Sequence, residues 1–236
     1  MKKPKMIMFD AGKTLLNYLD IDTLRGVRAY TQFLTENPGG LTAEEIDREV
    51  NLVFDTFEGC RKQLFEVHEQ TILKLAFDRL GLKFSASIPE IERMIWENDS
   101  TIVPVEGVGE LLDYLYDAGI RTAVISNWDF SSSLMRERLN LEYPNNRFDF
   151  VITSSDYGIR KPHKYIFEAG IALSGLKPED IWYVGDKLKV DVAGAKESGM
   201  TPILYKSEYI HYGEIPTDVI TVENYAQLIR ILKDCE

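Results

Sequence analysis

The spacing of apolar residues changes twice along this chain. A short apolar run, Met6-Ile7-Met8-Phe9, stops on Asp10 and meets a Gly/Lys/Thr turn, the pattern of a buried strand ending in a polar loop. From about residue 22 to about residue 100 the spacing becomes helical. Leu24 and Val27, then Val50, Val53, Phe54 and Phe57, then Ile72, Leu75 and Ala76, then Ile91, Ile95 and Trp96 recur at helical intervals. That spacing predicts about four amphipathic helices. Asn37-Pro38-Gly39-Gly40, Leu80-Gly81-Leu82 and Ile88-Pro89 separate them, and Thr42 with Glu45 is spaced as a capping box.

Beyond Pro104 helices and strands alternate. A helix over residues 107–117 leads to the strand Thr122-Ala123-Val124-Ile125, which ends on Ser126. A helix from about Ser131 leads to Phe150-Val151-Ile152, and another after Pro162 leads to Ile181-Trp182-Tyr183-Val184, ending on Gly185-Asp186. A helix near Val190, strands at residues 202–205 and near 219–221, and a C-terminal helix follow. This alternation predicts an α/β fold: a Rossmann-like parallel-sheet core with an inserted α-helical cap. The core is expected to take residues 1–17 and 103–236, and the cap residues 18–102. An insertion of that size is too long for a passive loop and is expected to act as a lid. Sheets of this kind bind ligands at the carboxyl ends of their strands. Asp10, Ser126 and Asp186 each fall at such an end.

Charge narrows the choice of partner. The formal net charge is -11 and the pI about 4.9, which opposes non-specific binding to nucleic acid or to an anionic membrane surface. A metal or a local cation cluster can still reverse the sign inside one pocket. Cys60 and Cys235 stand in no metal-like spacing and are expected to be free thiols. The apolar run before Asp10 is too short for a signal peptide and no stretch reaches membrane-spanning length, so a cytoplasmic location is expected.

The candidate chemistry lies in MFDAGKTL around Asp10, VISN ending on Ser126-Asn127, RKPH around Lys161, and VGDKLKVD spanning Asp186 and Asp191. In order, strand-end placement and the helical insertion after the first motif, these segments resemble the haloacid dehalogenase superfamily over nearly the whole chain. The resemblance implies a phosphatase-like hydrolase in which Asp10 attacks a phosphoryl group and becomes an aspartyl-phosphate. It implies Mg²⁺ held by Asp10, the backbone carbonyl of Gly12 and Asp186, with Asp191 orienting a metal-bound water or the lysine. Ser126 and the Asn127 amide would hold a phosphate oxygen, and Lys161 would neutralise its charge. The expected partner is a small phosphorylated molecule, met by a monomer or homodimer.

Plainer roles compete residue by residue. Asp10 could cap a turn, Ser126 the following helix, Lys161 could be a solvated loop lysine, and Asp186 and Asp191 suit a helix start in any case. His68 and His163 read as structural, the Phe54, Phe57, Phe65 and Trp96 positions as insert core, and Trp128 and Asp129 as possible pocket lining.

One position departs from the family pattern. Phosphatases of the superfamily carry a second aspartate two residues after the nucleophile, as leaving-group acid; here that residue is Gly12, followed by Lys13. Three explanations compete. In the first, the protein is a phosphatase whose acid is weak or relocated to Asp20, Asp22 or the cap. In the second, the reaction needs no such acid, as in a metal-free 2-haloacid dehalogenase or a phosphonatase with a cap lysine such as Lys62 or Lys74. In the third, the chain is a non-catalytic binding or regulatory module for phosphorylated ligands. The phosphatase ranks first.

Overall fold

The computed structural model describes residues 1–235. In chain order, β1 (Met6–Phe9) and β2 (Leu16–Leu19) precede the insert helices α1 (Thr23–Thr31), α2 (Ala43–Thr56), α3 (Glu58–Lys62), α4 (Glu69–Leu80) and α5 (Ile88–Asn98), with β3 (Leu34–Glu36) and β4 (Lys83–Phe84) among them. The chain returns through β5 (Thr101–Pro104), α6 (Val108–Asp117), β6 (Arg121–Ser126), α7 (Ser132–Glu142), β7 (Phe148–Thr153), α8 (Ser154–Tyr157) and α9 (Lys164–Ser174). It closes with β8 (Ile181–Gly185), α10 (Ala193–Glu197), β9 (Thr201–Tyr205), β10 (Ile220–Val222) and α11 (Tyr225–Lys233).

Six strands form one sheet in the order β10-β9-β8-β1-β6-β7, every pairing parallel. Strand geometry divides β1 between two cores: Met6 and Met8 pack with Ile125, Phe167 and Tyr183 on one face, Ile7 and Phe9 with Val124, Trp182 and Val184 on the other. A sheet covered on both faces needs this near-continuous apolar run, and all four residues of β1 are fully buried. Because β1 lies between β6 and β8, with later strands leaving in both directions, the order reverses at its carboxyl end.

The four expected insert helices are α1, α2, α4 and α5, with α3 as a short addition. Asp22 caps α1, and the Thr42–Glu45 box closes both ways on α2, at 3.2 and 2.8 Å. A second box, Ser87 with Glu90, starts α5. Apolar faces of these helices join the same cluster as Phe9 and Leu15. The two crossings between sheet and insert are tied together, since β2 pairs antiparallel with β5, Leu16 opposite Pro104 and Leu19 opposite Thr101. The helix read near Val190 starts as a π-helical turn over Leu188–Val192 before α10. Both cysteines are free, and among the described residues no helix is long and apolar enough to cross a membrane.

Candidate active site

Strand ends deliver the carboxylates. Asp10 follows β1 and stays in the ladder, its N–H donating to the Val184 carbonyl at 2.9 Å, so it is held beside the end of β8. Asp186 follows β8 directly, and Ser126 is the last residue of β6. Lys161 arrives from the loop between α8 and α9 and is 2% exposed. Its Nζ donates to Asp10 Oδ1 at 2.7 Å, Asp191 Oδ1 at 2.7 Å and the Tyr183 hydroxyl at 2.8 Å. Burial opposes the charge on this lysine, but Asp10 and Asp191 overcome that and hold it well above the usual range. Between two carboxylates it is held as an ammonium.

The Asn127 side chain is committed to Lys161: its Oδ1 accepts from Lys161 N at 2.7 Å and its Nδ2 donates to Lys161 O at 2.9 Å, so of its amide groups only the backbone N–H is left for a phosphate oxygen. Ser126 is not a helix cap, because Ser131 occupies that place on α7.

Asp186 is fully buried, and neither carboxylate oxygen has a hydrogen-bond partner among the described residues. Burial first, and then the charge of Asp10, pushes its carboxyl up to about 8. Asp10, Asp186 and Asp191 each offer an oxygen, all within 4.8 Å of one another. Uncompensated carboxylates of this kind are costly without a cation, and hard oxygen donors suit Mg²⁺. Asp191 reaches the cluster because the π-helical turn folds it back beneath β8, its Oδ2 accepting from Lys187 N at 2.9 Å. Gly185 makes this possible: a Cβ there would lie 2.4 Å from that of Asp191.

Asp10, Gly12, Ser126, Asn127, Lys161 and Asp191 line a cavity of about 190 Å³, with Asp186 buried behind its wall. Trp128 joins it, and Asp129 lines the chamber next door. Other candidates lie elsewhere. Asp20 is exposed and Asp22 is occupied as a helix cap, accepting from Leu24 N at 3.1 Å. Lys62 and Lys74 pair with Glu58 and Asp78 on the surface, 72% and 69% exposed, so neither can act as a buried Schiff-base lysine. His68 and His163 cap α4 and α9. Trp96 is buried in the insert, whereas Phe65 is exposed.

Tyr183 was hidden from the pattern as one more large residue in a buried strand. Its hydroxyl donates to Ile125 O at 2.8 Å and receives the lysine. The usable signal was that a buried tyrosine hydroxyl needs a partner. Glu66 was also unmarked. Its buried carboxylate takes hydrogen bonds from Arg61 Nε at 3.1 Å and Ser154 Oγ at 2.8 Å, and pairs with Arg160, tying insert to core.

Glu69, on α4, carries a measurable consequence. Burial, reinforced by Asp129 and Glu92, pushes its carboxyl from the ordinary 4.5 up to about 8. The folded protein therefore holds this proton more tightly than the unfolded chain, and the group's cost grows as pH rises from about 4.5 to about 8. Glu69→Gln is expected to match the parent below that window and to exceed it above, by a few kcal/mol. Urea unfolding across the pH range checks this, and parallel curves for the two proteins contradict it.

Residues 7–205 match the family model described as haloacid dehalogenase-like hydrolase. The haloacid dehalogenase-like hydrolase domain-containing protein 3 of Xenopus laevis is 32% identical over 123 residues, 51% of this chain and 49% of that protein. A glyceraldehyde 3-phosphate phosphatase of Methanocaldococcus jannaschii is 36% identical over 88 residues, 37% of this chain and 39% of that one. The chain thus spans about half the length of these curated relatives or less. Among solved structures, a 2-haloacid dehalogenase from Pseudomonas syringae superposes with a TM-score of 0.63 at 20% identity, covering 99% of each chain; at that identity the likeness concerns the fold alone.

Proposed function

This chain belongs to the haloacid dehalogenase-like hydrolase family, and on that premise we propose that it is a Mg²⁺-dependent phosphatase of small phosphorylated molecules, acting through an aspartyl-phosphate at Asp10. The observation that carries the reading is the bare, buried carboxylate of Asp186 beside Asp10. A metal-free dehalogenase has no use for it, and a passive ligand pocket has no need of a nucleophile paired with a buried lysine. Asp10, Asp186 and the carbonyl of Gly12 would hold the ion, which when bound neutralises charge between the nucleophile and the phosphate oxygens.

The chain's own groups divide the rest of the work. Lys161 holds Asp10 Oδ1, which leaves Oδ2 to attack phosphorus as the ester P–O bond breaks, the leaving oxygen departing as an anion that takes its proton from water. The lysine charge and the Ser126 hydroxyl stabilise the oxygens being transferred. Asn127 and Asp191 keep the lysine in place, one by its backbone and one by its ammonium. Water attacking the aspartyl-phosphate then releases phosphate and restores Asp10. The insert, residues 18–102, serves as the lid that shuts bulk water out.

The test measures phosphate release from a panel of phosphomonoesters. Turnover is expected with Mg²⁺, is expected to vanish on chelation, and to return when the ion is restored. Thermal unfolding supplies a binding readout: Mg²⁺ at about a hundred times its Kd should raise Tm by ~5–10 °C. Asp186→Asn should stabilise the metal-free protein and erase that rise. Metal-free halide release from a 2-haloacid would install the dehalogenase reading instead, and silence in every assay, with no Tm shift, would end this one.

A further inference from the structure

A second cavity, of about 370 Å³, adjoins the first: Tyr18, Ile21 and Trp128 line both. Insert and core each supply apolar wall, Val27, Tyr30, Val50 and Phe54 from one and Phe130 from the other. The polar wall is one-sided. Asp47, Glu69, Asp99 and Asp129 line the chamber, and among its described lining residues there is no lysine, arginine or histidine. Three arginines outside the lining act on these carboxyls, and each is already engaged: Arg61 near Glu69 and Asp129 is held by Glu66 at 3.1 Å and Asp129 at 3.4 Å, Arg160 near Asp129 pairs with Glu66, and Arg25 near Asp99 donates to the Asp20 and Asp99 carbonyls. Such a wall offers aromatic faces and negative charge.

We propose that this chamber receives the leaving group, and that the leaving group it fits is a mainly apolar, preferably aromatic, moiety bearing a protonated amine. An ammonium would lie among carboxylates and against aromatic faces, both attractive to a cation, while a carboxylate or second phosphate would meet repulsion from every charged lining residue. The carboxyls behave as groups lacking such a partner: burial, with Asp129 adding to it, raises Glu69 to about 8 and Asp99 to about 6. The proposal rests on the phosphatase reading for calling the occupant a leaving group; the occupant's chemistry follows from the walls.

Three phenols of similar size separate the two claims: tyramine, 4-ethylphenol and 4-hydroxyphenylacetate. Calorimetric titration of the full-length protein with Mg²⁺ should rank tyramine above 4-ethylphenol by about tenfold, with 4-hydroxyphenylacetate weakest. Glu69→Gln and Asp129→Asn should each shrink the tyramine preference several-fold. Equal affinities, a preference for the anion, no binding of any probe, or a preference intact in both variants would overturn the assignment. Hydrolysis of the phosphate esters of tyramine and 4-ethylphenol is read separately. If the phenols rank as expected and neither ester is cleaved, the phosphatase reading fails and the chamber assignment stands. If both esters are cleaved at equal kcat/KM and the phenols bind equally, the phosphatase stands and the chamber assignment falls.

Discussion

Replacing Asp10 by asparagine is expected to lower phosphate release by ~10⁴-fold or more. The carboxamide keeps the shape of the side chain, and its oxygen can still accept from Lys161, which now holds Asp10 Oδ1 at 2.7 Å. What disappears is the anionic oxygen that attacks and one of the carboxylates facing Asp186. The variant should therefore fold, and without metal it should unfold at the same temperature as the parent or higher, because Asp10 is a cause of the raised Asp186 carboxyl. Loss of activity in a folded protein separates chemistry from collapse. Rapid quenching of the parent with a good substrate should trap a covalent phosphoryl adduct that Asp10→Asn lacks. Activity within tenfold of the parent would place the nucleophile elsewhere.

Aryl and acyl phosphates should outpace alkyl and sugar phosphates by ~10²–10⁴-fold in kcat/KM, the usual worth of a positioned general acid. The cause is Gly12, which leaves no carboxyl where a leaving-group acid is expected. Gly12→Asp should help alkyl esters most, by up to ~10²-fold. The local backbone permits the change: Gly12 is not among the glycines with positive φ, while its neighbour Lys13 takes φ 60°. A Cβ at position 12 would meet the Tyr18 ring at 3.5 Å, an ordinary contact. Fast hydrolysis of alkyl esters by the unaltered protein is the opposite result, and it would mean that another group already supplies the proton.

The parallel core could be read from the chain because its information is local. Each apolar run is buried on both faces, and each ends on the residue that matters, Asp10, Ser126 or Asp186. What escaped depends on distant partners. β2 and β5 hold four residues each and pair across the whole insert, so nothing near Leu16 or Thr101 announces the other. The fate of the Asn127 carboxamide was closed to sequence for the same reason, since its partner is a backbone 34 residues away. Asp186 could be placed at a strand end, but its lack of any hydrogen-bond partner appears only when the surrounding side chains are packed. The acidic chamber was the least visible, because its carboxylates come from α2, α4, the α5 end and the loop after β6, each an ordinary surface-type residue where it stands in the chain.

The β2–β5 pairing has a mechanical consequence. Because the two crossings are laced together by backbone hydrogen bonds, the insert hangs from one short ribbon and not from two independent strings. A ribbon bends or twists about its own axis at low cost, but its edges cannot slide or part without breaking the ladder. A lid motion of the insert would thereby be channelled into rotation, like a door on one hinge. The far side carries the latch, where Glu66 meets Ser154 and Arg160, and Glu69 N donates to Asp129 O at 2.8 Å. If the insert swings as the proposed lid, opening must undo that latch, and the same swing would draw Glu69 away from Asp129 and take the carboxylate chamber apart.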